Sequence, residues 1–183
     1  MRRIYSIISA LFSIAVFAVA IFFYFNETLT LKSEYDDFKL SVPFGYSFQV
    51  NPYAAPESED DVEYDIAVYD DEKKVYVWGI RYTDSEDIDF KSFIEEDRVE
   101  HAEDKQAVEV SDLMELKLKD KKYEAYTYNF IYTDSNDEKE YYMQVVWIDA
   151  GDYVYCLDLE VIKENMDQHK DKLDKIAKSF KEI

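Results

Sequence analysis

Alternation is the feature that most limits what this chain can fold into. Tyr126, Tyr128, Phe130 and Tyr132 occupy every second position of one stretch, and Tyr141, Met143, Val145 and Trp147 repeat the pattern in the next. Tyr153 and Tyr155 open a third. Successive side chains of a strand point to opposite faces, so each set lines one side of a sheet. The pattern predicts four strands, at 108–119 (kinked at Ser111-Asp112), 123–132, 140–148 and 153–161. Their connections are short, which favours antiparallel neighbours, because a parallel pair needs a long crossover.

Upstream, the apolar positions of 38–42 and 46–50 alternate again, separated by Pro43 and a turn at Phe44-Gly45. Residues 51–63 hold two of the three prolines and a run of acids, as a loop would. Residues 66–69 and 75–82 read as a strand pair joined by Asp70-Asp71-Glu72-Lys73. In the second of these, Tyr76, Trp78, Ile80 and Tyr82 share a face, with Gly79 on the other. Asp87 or Asp89 is placed to cap a helix that carries Phe90, Phe93 and Ile94 on one side and fades near His101. A last helix spaces Ile162, Met166, His169, Leu173, Ile176 and Phe180 along one face. Strands, helix, four strands and helix make an α+β fold in which helices cover an antiparallel sheet.

The N-terminus points to a location. After Arg2-Arg3, residues 4–25 carry no charge, and as a helix they would reach about 33 Å, enough to cross a bilayer core. The arginines favour the cytoplasmic side. We therefore expect a signal anchor (a transmembrane helix) at 1–25, a tether at 26–37 and an extracytoplasmic domain at 38–183, in a single-pass protein of the cell membrane. Ala18-Val19-Ala20 has the form of a cleavage site, and secretion after cleavage near Ala20 is the alternative.

Charge narrows the partners. The chain has a formal charge of −20, and without Arg2 and Arg3 it is −22. Such a surface repels phosphate backbones, which argues against nucleic acid. Gly45, Gly79 and Gly151 lie far apart, so no loop is built to cradle a nucleotide phosphate. With 17 Tyr, 12 Phe and 2 Trp the chain is too aromatic to be disordered. Cys156 is the single cysteine, so no intrachain disulfide forms, and its expected place is a buried one. His101 and His169 are isolated and begin no metal-binding spacing.

Acidic clusters are the remaining candidates. Tyr-Thr-Asp-Ser-x-Asp occurs twice, at 82–87 and 132–137, and Glu57-Ser-Glu59-Asp60-Asp61 forms a third cluster. Neither repeat has the glycine and glutamate that shape a calcium loop, so solvated turns are the simpler reading.

Both ends of the domain resemble a known family. Phe38-Lys-Leu40-Ser-Val42-Pro43-Phe44-Gly45-Tyr46 is similar to the opening of PsbP-like proteins. A strand entering a helix that closes on Ile176-Ala-Lys-Ser179-Phe180-Lys181 is similar to their end. That family includes extrinsic subunits of the oxygen-evolving complex, a Ran nucleotide-release factor and many secreted or anchored bacterial proteins. The resemblance implies an α/β/α sandwich that binds partner proteins and has no shared catalytic site, and no family binding residue transfers to a position here. The expected function is a membrane-anchored extracytoplasmic binding or accessory module acting by protein contact, not an enzyme, with no cofactor. A calcium-responsive surface protein is the alternative, and an enzyme stands third.

Overall fold

The computed structural model describes residues 28–33, 37–50, 64–83 and 89–183. The expected transmembrane helix lies outside them. Among the described residues, no helix is long and apolar enough to cross a membrane.

Among the described residues, ten strands form two antiparallel sheets. The larger contains β3 (Gln49–Val50), β4 (Ile66–Asp70), β5 (Val75–Thr83), β6 (Met114–Glu115), β7 (Glu124–Thr133), β8 (Glu140–Asp149) and β9 (Tyr153–Ile162). Its spatial order is β3-β4-β5-β9-β8-β7-β6. The smaller sheet is β1 (Thr28–Lys32), β2 (Phe38–Pro43) and β10 (Lys181–Glu182), in the order β1-β2-β10. Local hairpins build β4-β5 and β7-β8-β9. The pairing of β5 with β9, from Val75↔Val161 to Thr83↔Tyr153, welds the two halves together.

Among the described residues, two α-helices cover opposite faces of the large sheet. α1 (Phe90–Asp104) begins where Asp89 accepts a hydrogen bond from the Ser92 N–H at 3.0 Å, a side-chain cap for an otherwise unpaired donor. It lies over β7 and β8. α2 (Met166–Ala177) packs its buried His169, Leu173, Ile176 and Ala177 on the other face, beside the small sheet. The result is α+β, with α1, the large sheet, and then α2 with the small sheet as layers.

The small sheet joins the core through β2, whose Phe38, Leu40 and Val42 are fully buried. Phe38 stacks on Phe180 (5.6 Å between centroids) and meets Tyr155 edge-on at 5.3 Å. Gly79 makes room for this contact. A Cβ there would lie 3.0 Å from Leu157 Cδ2 and 3.1 Å from Phe38 Cζ.

Four expectations need correction. The 26–37 stretch is not only a tether, because Thr28–Lys32 pairs with β2 and supplies its edge with hydrogen bonds. The expected strand at 46–50 shrinks to Gln49–Val50, since Tyr46 turns inward to reach His169 at 2.7 Å. The expected strand at 108–119 is mostly irregular: Gln106 and Glu109 adopt positive φ. Ser111 then takes ladder positions with both its backbone N–H and its hydroxyl, each bonded to Asn129. Only Met114–Glu115 pairs there as a strand. The last helix is shorter than its apolar stripe. Ile162 ends β9, residues 163–165 make one tight 3-10 turn, and Phe180 lies beyond α2 with its ring folded onto Phe38 and Tyr155.

Candidate functional site

The face of the large sheet under α1 collects the alternating aromatics and a set of acids. On β9, Cys156, Asp158, Glu160 and Ile162 share this face. Register sets their neighbours: Asp158 lies between Trp78 of β5 and Val145 of β8, and Glu160 between Tyr76 and Met143. One strand further, Tyr128 is opposite Val145 and Phe130 opposite Met143. Two carboxylates at i and i+2 on a central strand are thus framed by rings.

Those rings contact one another. Tyr76 and Trp78 are nearly parallel, 6.3 Å apart, and Tyr64 tilts against Trp78 at 5.3 Å. Tyr76 meets Tyr141 edge-on, and Tyr141 stacks on Tyr132 at 5.9 Å. At the other end Tyr82 stacks on Trp147 at 5.6 Å.

α1 clasps half of this face through polar contacts. Asp97 accepts hydrogen bonds from the Tyr128 hydroxyl (2.7 Å) and from Trp147 Nε1 (2.9 Å). With the Tyr128 proton committed, His101 Nδ1–H donates to the same hydroxyl oxygen at 3.2 Å. Phe93 meets Trp147 edge-on at 5.0 Å, and His101 meets Phe130 at 5.2 Å. The helix stops short of β5. Tyr76, Trp78 and Ile80 there are half-buried, and Tyr82 is 43% exposed.

Burial governs the ionisation of this face. The Glu160 carboxyl is pushed up to about 7, because burial and the nearby Asp158 and Asp134 outweigh the Tyr132 hydroxyl that donates to it at 2.6 Å and the Lys105 charge. Asp158 is half-buried, and the Cys156 thiol two residues before it donates to its carboxylate at 3.8 Å. Burial raises its carboxyl, Asp97 adds to the rise, and His101 and Lys105 oppose it. Burial also raises the Cys156 thiol well above its usual range, with Asp158 and Asp97 adding to the effect. A thiol held protonated is a poor nucleophile and a poor metal ligand.

Beside this face a cavity of about 400 Å³ opens between the end of α1 and the β7–β8 turn. Lys105, Gln106, Tyr132, Asp134 and Asn136 are among its walls, and Lys105 Nζ sits 4.9 Å above the Tyr132 ring. Tyr132 therefore separates this polar cavity from Glu160.

The second acidic repeat builds the turn itself. Asp134 Oδ1 accepts from the Asn136 N–H at 2.6 Å, and Asp137 accepts from the Lys139 N–H (3.1 Å) and the Tyr141 hydroxyl (2.9 Å). These carboxylates shape a hairpin loop, and among the described residues no three His, Cys, Asp or Glu side chains gather as a metal site. Of the first repeat, only Tyr82, Thr83 and Asp89 just beyond it are described, and Glu57–Asp61 lies outside. His169 is buried against Tyr46, which fits its place on the apolar stripe.

Asp158 and Glu160 were not singled out by sequence reasoning. Leu157-Asp158-Leu159-Glu160-Val161 reads as a strand with one wet face. The signal available was indirect: the same face of the neighbouring strands is aromatic, which a solvent face seldom is.

No protein-family model and no curated protein matches the sequence. Solved structures do. A cyanobacterial PsbP (CyanoP) from Synechocystis superposes with a TM-score of 0.57 at 15% identity, covering 85% of this chain and 92% of that one. LpqN, involved in cell envelope biogenesis of Mycobacterium tuberculosis, gives a TM-score of 0.54 at 14% identity, covering 85% and 90%. The fold is PsbP-like. At such identities the likeness carries the architecture alone, so the function of this PsbP-like domain must be argued from its own surface.

Proposed function

We propose that the chain is a membrane-anchored, extracytoplasmic contact module that binds a protein partner through the uncovered half of its aromatic sheet face. One observation carries this reading: β5 presents Tyr76, Trp78, Ile80 and Tyr82 side by side while α1 covers only β7 and β8. Large aromatic side chains with a polar tip are favoured at protein interfaces, where they bury much area at little entropic cost. A contact role without catalysis is also in keeping with the engagement of the reactive groups. Cys156 is held protonated, and His101 is committed to Tyr128 and Phe130.

Affinity purification of the full chain from solubilised membranes tests the reading. The native protein is expected to retain a stoichiometric partner, Tyr82→Ala to lose it, and Met114→Ala, an exposed apolar side chain on the β6 edge, to keep it. Retention by Tyr82→Ala overturns the assignment of the face. Protease added to intact cells is expected to remove the domain and leave an anchor fragment. Protection until the membrane is broken overturns the orientation.

A further inference from the structure

The acids on the face under α1, Asp97, Asp158 and Glu160, hold no lysine or arginine in an ion pair among the described residues. The charged groups facing them are few. From α1 come Asp97, His101 and Lys105; from the β7–β8 turn comes Asp134. His101 is held by Tyr128 and Phe130, and Lys105 sits over the Tyr132 ring at the cavity. Arg81, the one basic residue of β5, points to the opposite face, where it pairs with Asp37 at 2.9 Å. In sequence, Glu59-Asp60-Asp61 and Glu63 precede Tyr64, and Asp84, Glu86 and Asp87 follow Thr83. No lysine or arginine lies in either stretch.

Desolvated carboxylates without a counter-charge are costly, and an apolar occupant above them would deepen the cost. A cation would lower it. Trp78 lies opposite Asp158 and Tyr76 opposite Glu160, with Tyr64 against the Trp78 ring, and aromatic faces attract cations most when both are removed from water. Rings and acids thus select one chemistry. Resting on the contact reading above, we infer that this face receives a basic side chain of the partner protein, a lysine ammonium or arginine guanidinium, held between the β5 rings and above Asp158 and Glu160. The occupant is a protruding basic residue on an otherwise apolar segment, since Ile80 and Tyr82 continue the surface beyond the acids.

Both tryptophans of the chain, Trp78 and Trp147, lie on this face, so intrinsic fluorescence reports on it directly. The full chain in detergent is titrated with an end-blocked peptide carrying one lysine between leucines, and with the same peptide Nε-acetylated. A saturable change with a midpoint below about 1 mM is expected for the lysine peptide, and none for the acetylated one. Asp158→Asn is expected to weaken the lysine peptide at least about tenfold while keeping the tryptophan environment intact. Glu160→Gln, which keeps a partner for the Tyr132 hydroxyl, serves as the second variant should Asp158→Asn fail to fold. Equal response to both peptides, no saturable response, or an unchanged midpoint in a folded variant overturns the inference. Capture of the partner separates it from the reading on which it rests. A partner lost by Tyr82→Ala but kept by Asp158→Asn overturns the cation site and leaves the contact face standing. A partner kept by both variants overturns the contact face, and the titration then decides the cation site alone.

Discussion

Both faces of the large sheet carry aromatic rings and use them in opposite ways. On the face under β2 and α2, Phe38, Tyr155 and Phe180 pack ring on ring, Tyr123 meets Phe180 edge-on, and the tyrosine hydroxyls reach outward to Glu182 at 3.3 Å. The hydroxyls of Tyr123 and Tyr155 thus leave the core at its margin. On the face under α1 the polar atoms point inward, and the rings enclose Asp97, Asp158 and Glu160. Rings of the same type thus seal a core on one side and surround acids on the other. What differs is which strand positions carry acids and how far a helix extends across them.

The sharpest way to break the comparison is to remove a ring from the sealed side. Phe38→Ala should cost roughly 3–5 kcal/mol, because it empties a fully buried site shared by both sheets and Phe180 cannot refill it. Chemical denaturation of the full chain measures this. A cost below about 1 kcal/mol would mean that the small sheet is not anchored through Phe38.

The next test uses pH, since the faces respond with opposite sign. Glu160 has its carboxyl raised from 4.5 to about 7 in the folded protein. Its neutral form therefore favours the fold: that stability is fully present below about pH 4.5 and is lost as pH rises through about 7, by about 3 kcal/mol in all. Glu160→Gln should abolish this loss and raise the melting temperature at pH 8. On the sealed side, burial and the Lys172 and Lys73 charges lower the His169 imidazole below its usual 6.5. Its stability is present above pH 6.5 and is lost as pH falls through the lowered value. His169→Gln should flatten the acid limb and leave the alkaline limb intact. Melting curves across pH for both variants check the assignment, and a Glu160→Gln profile that parallels the native one would overturn it.

The smallest effect belongs to the open edge. Tyr82→Ala should change stability by less than about 1 kcal/mol, since the side chain is largely exposed and its main contact is one stacked ring. A large loss of stability would show that Tyr82 closes the core rather than presenting a surface.

Much of the architecture was legible in residue order. The strands at 66–70, 75–83, 124–133, 140–149 and 153–162 lie within about a residue of where alternation placed them, and Asp89 caps α1 as its position suggested. The candidate site was legible only in part. Tyr126 through Tyr132 and Tyr141 through Trp147 were seen as shared faces, yet nothing singled out Asp158 and Glu160 on the strand beside them.

Short-range physics explains what the sequence decided by itself. A period of two, a tight turn and a helix cap are set by neighbours within a few residues, and each limits the backbone before any packing occurs. Tertiary structure decided the rest. Thr28–Lys32 became a strand only because β2 offered an unpaired edge, and residues 108–119 gave up theirs where Ser111 took the ladder bonds of Asn129. Phe180 left the helix that its spacing suggested because Phe38 and Tyr155, distant in sequence, provide a better contact for its ring. Alternation states which side chains share a face and is silent about what covers that face. Whether Asp158 and Glu160 meet water or rings was settled by the pairing of β5 with β9 and by the end of α1, contacts that no local pattern encodes.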